Sequence, residues 1–545
     1  MKRAIDALGE AWYDVLVIGA GIVGACIARD AALRGLRVAL VDRSDVGCGA
    51  SANCLKIVHG GLRYLQHLDV RRMRASIRER SAWLRIAPHL VEPLPFVLPI
   101  HGKGLERRAV FRAALALNDA LSWDRNEGIA LERRLPRGRI LSREECLSLA
   151  PQLDAPGLEG GALIYDAQMY SPERLVLEVV RDACAAGAAV ANYVAFEAPL
   201  YRGGRLAGGR LFDRVGGRRI DVRARLVVSA AGSAAAEVAR RLTGRDRAVP
   251  PCSLALNLVA PALGPAVGFA VAGAGEAGRG RKLFIAPWRG RTLVGTGHYA
   301  YAGDPFADAA ERYVDRFLAE VNRALPDWGL SRADILVVHR GRVPLERRAR
   351  RGEPTLLRHH RIVDHAADGV PEAITVVAEK FTTARGIAEE VVDLVFRKLG
   401  RPSPECVTAR VPLPGAAPSP AALLAEARRR FGARLDRETL EHLTRAYGRR
   451  YALVLGAGAA GGVGAIGLDP RAARERQFVY AAWNEMACRP EDLLERRTEL
   501  GPRGVRDPHA ERLAREVLAR RDAAMAPVTS ARAADAPAMR ASVTA

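Results

Sequence analysis

Residues 13–42 read YDVLVIGAGIVGACIARDAALRGLRVALVD, and this stretch decides the fold. A short apolar run at residues 14–18 leads into a G-x-G-x-x-G loop, after which small and apolar residues continue at helical spacing. Gly19 permits a tight turn, Gly21 lets the backbone approach a pyrophosphate, and Gly24 allows close packing of helix against strand. The stretch therefore predicts a strand, a phosphate-binding turn and a helix.

The residues beyond the helix indicate the nucleotide. A second apolar run ends at Asp42, where a carboxylate can accept hydrogen bonds from an adenosine ribose. This favours FAD or NAD over NADP, and the loop alone does not separate the first two. The run of small polar residues 48–53, which includes Ser51 and is followed by Lys56, suits a chain that lies along a flavin.

Three further segments accompany the nucleotide fingerprint: residues 56–65 read KIVHGGLRYL, residues 411–415 read VPLPG, and residues 487–501 read ACRPEDLLERRTELG. Together with residues 13–42 they resemble the FAD-dependent glycerol-3-phosphate dehydrogenase family, over nearly the whole chain. The resemblance implies FAD as cofactor and oxidation of sn-glycerol 3-phosphate to dihydroxyacetone phosphate. In respiring bacteria it also implies transfer of the electrons to membrane quinone.

We expect an α/β protein with an FAD-binding Rossmann-like domain of the glutathione-reductase/D-amino-acid-oxidase type, an antiparallel-sheet substrate domain and a C-terminal helical domain. The predicted segments are 12–100, 166–250 and 339–405 for the FAD-binding domain, 101–165 and 251–338 for the substrate domain, 406–420 for a linker, 421–517 for the helical domain and 518–545 for a disordered tail. Residues 283–288 and 292–295 are predicted as antiparallel strands of the substrate domain, and the Gly- and Ala-rich residues 452–468 as a loose loop.

The chain is expected to return to the cofactor at several points. The first is a strand whose backbone meets the adenine and that ends at Val194, and the second is a strand over residues 226–232 that ends in Ala231 and Gly232. A third visit follows a strand at residues 374–377, where Lys380, Phe381 and Thr382 precede a helix whose N-terminus faces the cofactor.

The substrate residues are carried over from the family's motifs. Arg63 and Tyr64 match H-G-G-L-R-Y, Arg358 matches a further family position, and Lys380 and Thr383 match the late K-L-T-T-x-R motif, with phenylalanine replacing leucine. Arginine forks and a lysine point charge are suited to gripping a phosphate dianion. The resemblance therefore implies a cationic substrate pocket without a metal ion.

Two residues are candidates for the base that removes the hydroxyl proton. His59 is the first, because a group with a pKa near neutrality suits proton transfer, and Arg63 and Lys380 would then stabilise the developing oxyanion. Lys380 is the second, if burial beside arginines lowers its pKa. The residue pattern does not decide between them.

Several positions depart from the family's motifs. G-V-R-P appears as Gly341-Arg342-Val343-Pro344, and a shift of one residue on a strand reverses the face of its side chain. Arg342 remains a substrate-binding candidate, either pointing away from the substrate or brought back by a local shift. The chain also places Glu379 before the late motif and carries His298 and His359 near the expected pocket.

These departures leave an alternative activity open. The chain is either a respiratory enzyme that oxidises glycerol 3-phosphate or a paralogue with the same flavin that acts on another small hydroxy acid, phosphorylated alcohol or amine. A flavoprotein that binds RNA would interleave aromatic residues with its arginines. Aromatic residues are only 6% of the chain and form no such array, so no nucleic-acid partner is expected.

The N-terminal sequence, the cysteines and the net charge indicate where in the cell the protein acts. The N-terminus lacks the apolar segment of a signal peptide and the eight cysteines are scattered, so we expect a cytoplasmic protein with reduced thiols. The net charge of +22 either attracts an anionic membrane surface or reflects an arginine-rich genome. Residues 105–123 mix apolar residues, arginines and a terminal tryptophan, which suits either a membrane-surface helix or an ordinary surface helix. A homodimer is also considered.

Overall fold

The computed structural model describes residues 1–102, 107–154, 156–245, 249–273, 281–347, 354–456, 468–498 and 500–525. The strands are β1 (Trp12–Ile18), β2 (Val38–Val41), β3 (Ile57–Val58), β4 (Val91–Ile100), β5 (Arg139–Leu141), β6 (Gly160–Met169), β7 (Ala189–Ala191), β8 (Val194–Arg202), β9 (Arg205–Asp213), β10 (Arg218–Ser229), β11 (Cys252–Ala260), β12 (Gly268–Ala272), β13 (Lys282–Trp288), β14 (Arg291–Tyr299), β15 (Val337–Arg347), β16 (Thr355–Leu356), β17 (Arg361–Asp364) and β18 (Ala373–Val377).

The α-helices are α1 (Ile5–Glu10), α2 (Ile22–Leu33), α3 (Val70–Ile86), α4 (Arg108–Leu121), α5 (Arg143–Leu149), α6 (Pro172–Ala185), α7 (Ala235–Thr243), α8 (Glu311–Ala324), α9 (Ala384–Leu399), α10 (Pro420–Phe431), α11 (Arg437–Tyr447), α12 (Tyr451–Gly456), α13 (Pro470–Asn484) and α14 (Pro508–Met525). A short 3-10 helix, Leu62–His67, precedes α3.

The first sheet has the strand order β17-β18-β10-β1-β2-β7. Its strands run parallel except β17, and an antiparallel excursion through β8 and β9 extends β10. The strand β1 is buried along almost its whole length, because α2, α6 and α9 cover one face of it and β8 and β9, with α1 and α7, pack against the other. Helices α2, α6 and α9 pack together in this domain, so the predicted Rossmann-like fold is confirmed.

The second sheet has the order β16-β15-β11-β14-β13-β12-β4-β6-β3. It is antiparallel except for the short β12–β4 pair, and the predicted antiparallel pairing of residues 283–288 with 292–295 is present as β13 with β14. Helix α8 covers part of this sheet with a row of buried residues, Val314, Phe317 and Val321. The second sheet contacts the loop that follows β2, because the side-chain amide of Asn257 on β11 donates to the carbonyl of Asn53 at 3.0 Å.

Strand pairing moves two of the predicted domain boundaries. Strands β3 and β4 pair in the second sheet, although residues 12–100 were assigned to the FAD-binding domain. Strand β15 also pairs there with β11, although residues from 339 onwards were assigned to the FAD-binding domain. The amino-acid pattern identifies a strand, but which sheet it joins depends on partners distant in the sequence.

The C-terminal region is helical from α10 to α14. Helix α14 extends to Met525 and buries Val517 and Leu518, so the tail was predicted to begin too early at residue 518. Residues 452–456 of the predicted loop belong to α12, so that part of the prediction was wrong, and residues 457–467 and 526–545 lie outside the described residues. The segment predicted as a linker packs closely, because Leu413 is buried and its backbone N–H donates to the carbonyl of Ile86.

No helix among the described residues has the length and apolar character needed to cross a membrane.

Candidate active site

The dinucleotide loop has the geometry that its glycines predict. Gly19 adopts a φ of +106°, and a Cβ added there would lie 2.5 Å from the carbonyl oxygen of Ala230. A Cβ on Gly24 would lie 1.8 Å from the carbonyl oxygen of Gly19. Helix α2 begins directly after Gly21, and Gly21 has no side chain that could cap the helix. Backbone N–H groups of the first turn therefore point into the loop, where a phosphate can accept from them.

Two predicted cofactor residues lie beside this loop. The hydroxyl of Ser51 accepts a hydrogen bond of 3.0 Å from the N–H of Ile22, at the start of α2. The Asp42 carboxylate accepts one hydrogen bond from the N–H of Ala20 and another from the N–H of Ser44, at 2.7 and 2.8 Å. Burial raises the pKa of Asp42 to about 6. Each carboxylate oxygen keeps acceptor capacity for a ribose hydroxyl.

The two chain segments that were predicted to return to the cofactor, at Val194 and at Ala231, lie beside the dinucleotide loop and Asp42. A Cβ on Gly19 would lie 3.0 Å from the Cα of Ala231, and Gly232 follows with a φ of +55°. The N–H of Val194 donates to the carbonyl of Asp42 at 2.6 Å. These contacts bring Val194 and Ala231 to the nucleotide loop.

The third return brings the late motif to the start of α9. Thr383 is the N-cap residue of this helix, and its buried hydroxyl has no hydrogen-bond partner among the described residues. Trp83 donates its ring N–H to the carbonyl of Thr382 at 3.0 Å, and its ring lies against Phe381. An open helix N-terminus with an unpaired hydroxyl fits the electron-rich edge of a flavin ring.

Lys56, which was predicted to contact the cofactor, contacts protein side chains instead. It is fully buried, with its ammonium 3.4 Å from Glu173 and 4.7 Å from the centre of the Trp288 ring. The ammonium also donates to the carbonyl of Ala52, within the small polar run. Its direct contacts are therefore with Glu173, Trp288 and Ala52, and a contact with the cofactor itself stays a prediction.

The H-G-G-L-R-Y motif forms a glycine turn followed by the 3-10 helix. The N–H of Gly60 donates to Asp166 at 2.7 Å, and a Cβ on Gly60 would lie 2.6 Å from Arg80, so a larger residue would collide with this ion pair. The N–H of His59 donates to the hydroxyl of Thr382 at 3.4 Å. The turn is thus fixed against both β6 and the start of α9.

Lys380 is the centre of the site. Its ammonium donates to the hydroxyl of Tyr64 at 3.1 Å and to the hydroxyl of Ser76 at 2.8 Å. Burial lowers the pKa of Lys380 to about 8, and the carboxylate of Glu379, 3.9 Å away, opposes that shift. Arg72 lies over the Tyr64 ring at 4.2 Å and 3.5 Å from Glu379. Two cations and one carboxylate thus surround one tyrosine.

The two histidines of the site are both held neutral. Burial, reinforced by the charge of Lys380, lowers the pKa of His59 to about 4. Burial, reinforced by Arg281 and Arg63, lowers the pKa of His298 to about 3. Arg63 lies 5.9 Å from the centre of the Phe284 ring, which places it beside strands β13 and β14 of the substrate domain. Both imidazoles are therefore unprotonated but weakly basic at neutral pH, whereas a pKa near neutrality was expected for His59.

Arg358, a predicted substrate residue, follows the short strand β16. Its side chain is exposed, while the preceding Leu357 is buried against Ala235 and Val377. The following His359 is 3.1 Å from Asp69, the N-cap residue of α3. These neighbours hold the backbone at Arg358 close to the start of the helix that carries Arg72 and Ser76.

Arg342 lies on the face of β15 that points away from the cofactor loop. A Cβ on Gly341 would lie 3.7 Å from Ala50 of the cofactor loop, whereas Arg342, on the opposite face, donates to the carbonyl of Ala302 at 3.0 Å. Its neighbour on that face, Arg340, donates to the carbonyl of Pro305. The shift by one residue thus turns this arginine away from the flavin side, and we leave Arg342 out of the proposed pocket.

Sequence reasoning missed the contribution of α3. Arg72, Ser76 and Arg80 are spaced by four residues, so they lie on one face of the helix, and all three contact residues of the candidate site. The signal that could have revealed them is a polar stripe on a helix that directly follows the glycine motif.

A G-x-G-x-x-G loop at a parallel-sheet edge, three chain returns to it and a cationic pocket against a second sheet define a flavin-dependent oxidoreductase. The model of the family "FAD dependent oxidoreductase" matches residues 14–394, and that of the "C-terminal domain of alpha-glycerophosphate oxidase" matches residues 406–522. The chain therefore belongs to the FAD-dependent glycerol-3-phosphate dehydrogenase family, as its relatives indicate.

The similarity covers 90% or more of this chain. A glycerol-3-phosphate dehydrogenase of Synechocystis sp. is 34% identical over 506 residues, covering 90% of this chain and 89% of that protein. A mitochondrial glycerol-3-phosphate dehydrogenase of Mesocricetus auratus is 29% identical over 90% of this chain and 67% of its own length. The structure of the glycerol-3-phosphate dehydrogenase from Bacillus halodurans complexed with FAD superposes with a TM-score of 0.70 at 25% identity, covering 94% of this chain and 95% of that one.

Proposed function

We propose that this enzyme oxidises sn-glycerol 3-phosphate to dihydroxyacetone phosphate. The observation that carries the proposal is the buried Lys380 ammonium, which meets Tyr64 and Ser76 beside the open N-terminus of α9. The named activity of relatives that match along nearly the whole chain supports it. The dinucleotide loop and the start of α9 would hold FAD, which would supply the acceptor for the hydride of C2.

The cations of the pocket hold the phosphate and the developing alkoxide. Arg63 projects from the 3-10 helix towards the substrate sheet, Arg72 lies over Tyr64, and the Lys380 ammonium also lies close to that ring. Charged hydrogen bonds to phosphate and oxyanion are strong in such a partly desolvated site. Exposed Arg358 would close the pocket on the phosphate from the rim.

His59 is the proposed acceptor of the C2 hydroxyl proton. It is neutral at pH 7, and its backbone is fixed by Thr382, so the ring is available in the basic form. The side-chain nitrogen of Lys380 donates to two hydroxyl oxygens, and its pKa of about 8 leaves it mostly protonated at pH 7, so it serves as a cation and not as the base. Binding of a phosphate dianion would raise the pKa of His59 and strengthen it as a base.

The residues of the proposed site divide into three groups by role. His59, Arg63 and Lys380 act in catalysis, Tyr64, Arg358 and Thr383 contact the substrate, and Gly19, Gly21, Gly24, Asp42, Ser51, Lys56, Val194, Ala231, Gly232, Lys380, Phe381 and Thr382 line the cofactor.

The proposed electron acceptor is membrane quinone, reached from a peripheral position on an anionic membrane. Helix α4 buries only Leu115 and exposes Val110, Leu117 and the nearby Trp123, and it packs against the 3-10 helix that carries Arg63. Exposed arginines at the start of α4 supply positive charge. Apolar side chains with basic neighbours suit an anionic lipid surface.

The decisive experiment is anaerobic mixing of the purified holoenzyme with sn-glycerol 3-phosphate, with flavin absorbance as the readout. We expect rapid bleaching with this substrate and none with unphosphorylated glycerol at the same concentration. An enzyme that dithionite reduces but sn-glycerol 3-phosphate does not would contradict the proposed substrate. It would point to another small hydroxy acid, phosphorylated alcohol or amine.

A further inference from the structure

The C-terminal helical domain contacts the FAD-binding domain at the turn that follows β2. Asp45 in this turn is fully buried, and its carboxylate accepts two hydrogen bonds from Arg497, at 2.7 and 2.9 Å, and one from Arg496, at 2.6 Å. Although burial opposes ionisation of Asp45, the charges of Arg497 and Arg496 hold its pKa below the ordinary value. The turn is thus fixed by residues from the far end of the chain.

This turn is continuous with the predicted ribose site. Only two residues separate Asp45 from Asp42, and Ser44 between them donates its N–H to Asp42 at 2.8 Å. Gly47, just beyond, donates its N–H to the carbonyl of Ala20 in the dinucleotide loop at 3.0 Å. A displacement of Asp45 would therefore move both the ribose carboxylate and the phosphate loop.

The opposite wall of the adenosine site is held by the same segment. Asn192 donates one amide hydrogen bond to Asp45 and another to the carbonyl of Met486, each at 2.8 Å. The Tyr193 hydroxyl donates to Asp492, which also accepts from Arg496. The next residue in the chain is Val194, which was predicted to end the strand that meets the adenine; in the structure that strand, β7, ends at Ala191 and Val194 begins β8. Residues 486–497 consequently brace both walls.

We propose that Arg496 and Arg497 are positioning residues for the ADP half of FAD, and that the C-terminal domain retains the cofactor through them. The energetic reason is that Asp45 and Asp492 are carboxylates without solvent access, whose position is set by their charged partners. A loss of one partner leaves the turn free to shift while the chemistry of the substrate pocket stays intact.

The test compares Arg496→Gln with Arg450→Gln in the full-length holoenzyme. Both arginines come from the C-terminal domain, have side-chain exposures of 14% and 12%, and bind a fully buried carboxylate of the other domain, Asp45 or Glu178. FAD release on dilution is followed by fluorescence, and the affinity for ADP is measured by its displacement of FAD. Neither readout depends on which substrate the enzyme oxidises.

We expect Arg496→Gln to weaken binding of FAD and of ADP alike by about tenfold or more, because one charged hydrogen bond to the turn is lost. Arg450→Gln should lower the melting temperature but leave both affinities unchanged, and Arg496→Lys should restore part of the loss. Equal loss of FAD affinity in Arg496→Gln and Arg450→Gln would overturn the proposal, because it would report general weakening of the domain contact.

A milder substitution covers the case in which Arg496→Gln does not fold. Tyr193→Phe removes only the hydroxyl that donates to Asp492. We expect it to weaken ADP binding by about threefold, since a single hydrogen bond is lost. Unchanged ADP affinity in this variant, with normal folding, would also overturn the proposal.

Discussion

The ammonium of Lys380 lies 3.1 Å from the hydroxyl of Tyr64 and 4.7 Å from the centre of its ring. The two residues come from opposite ends of the FAD-binding domain's sequence and meet at the start of α9. Burial raises the pKa of Tyr64 to about 12 and lowers that of Lys380 to about 8. The pair therefore consists of a neutral phenol and an ammonium close to its titration point.

Replacement of Lys380 by methionine should lower the rate of flavin reduction by about a hundredfold or more, because a charged hydrogen bond to substrate is lost in a buried site. The measurement is the rate of anaerobic bleaching by sn-glycerol 3-phosphate. Lys398→Met is the matched control, since Lys398 has a similar side-chain exposure, 13% against 11%, and pairs with Asp364 at the other end of α9. Similar rates in both variants would remove Lys380 from catalysis.

The pH profile of kcat/KM should fall as pH rises through about 8. Below this pH Lys380 is charged and attracts the phosphate, and above it the charge is lost, since burial has lowered its pKa from the ordinary value. The Glu379 carboxylate favours the ammonium, so Glu379→Gln should move the fall to lower pH. If the fall of kcat/KM at high pH stays at the same pH in Glu379→Gln and persists in Lys380→Met, the titrating group is not Lys380.

Arg358→Ala should raise KM for sn-glycerol 3-phosphate by about one to two decades, as loss of ~1.5–3 kcal/mol from a charged hydrogen bond implies. The measurement is steady-state kinetics over a range of substrate concentrations. Arg361→Ala serves as control, because Arg361 is close in sequence and partly exposed, with 40% of its side chain accessible, but pairs with Glu346. An unchanged KM in Arg358→Ala would place this arginine outside the pocket.

Substitution of Arg63 and substitution of Arg342 should affect kcat/KM to different extents. Arg63→Ala is expected to reduce kcat/KM by about tenfold or more, because its charge lies beside His298 and the pocket. Arg342→Ala is expected to change it by less than about threefold, because its guanidinium bonds the carbonyl of Ala302 on the other face of β15. A large loss with Arg342→Ala would mean that the strand turns this residue back to the substrate.

Membrane attachment through α4 predicts that a double substitution, Leu117→Ser with Trp123→Ser, weakens sedimentation with vesicles of anionic phospholipid. The two side chains are 41% and 78% exposed, so their loss should reduce lipid contact without disturbing the core. Leu453→Ser, at an exposed site of 63% in the C-terminal domain, is the control. Vesicle binding equal in the two variants would exclude α4 as the attachment site.

The sequence by itself determined the cofactor-binding half of the protein. Gly19, Gly21, Gly24 and Asp42 form a local pattern whose spacing is enough to predict strand, turn, helix and ribose carboxylate, because these features depend on neighbours along the chain. The helix after Lys380 and the pairing of β13 with β14 could be predicted for the same reason.

Only the tertiary structure decided how distant segments combine. The face of Arg342 depends on the register of β15 with β11, and the role of Ser76 depends on α3 packing beside the late motif. The bond between Asp45 and Arg497 joins residues 452 positions apart. Such contacts leave no periodic signal in the sequence, because they arise from packing between elements whose separation along the chain is arbitrary.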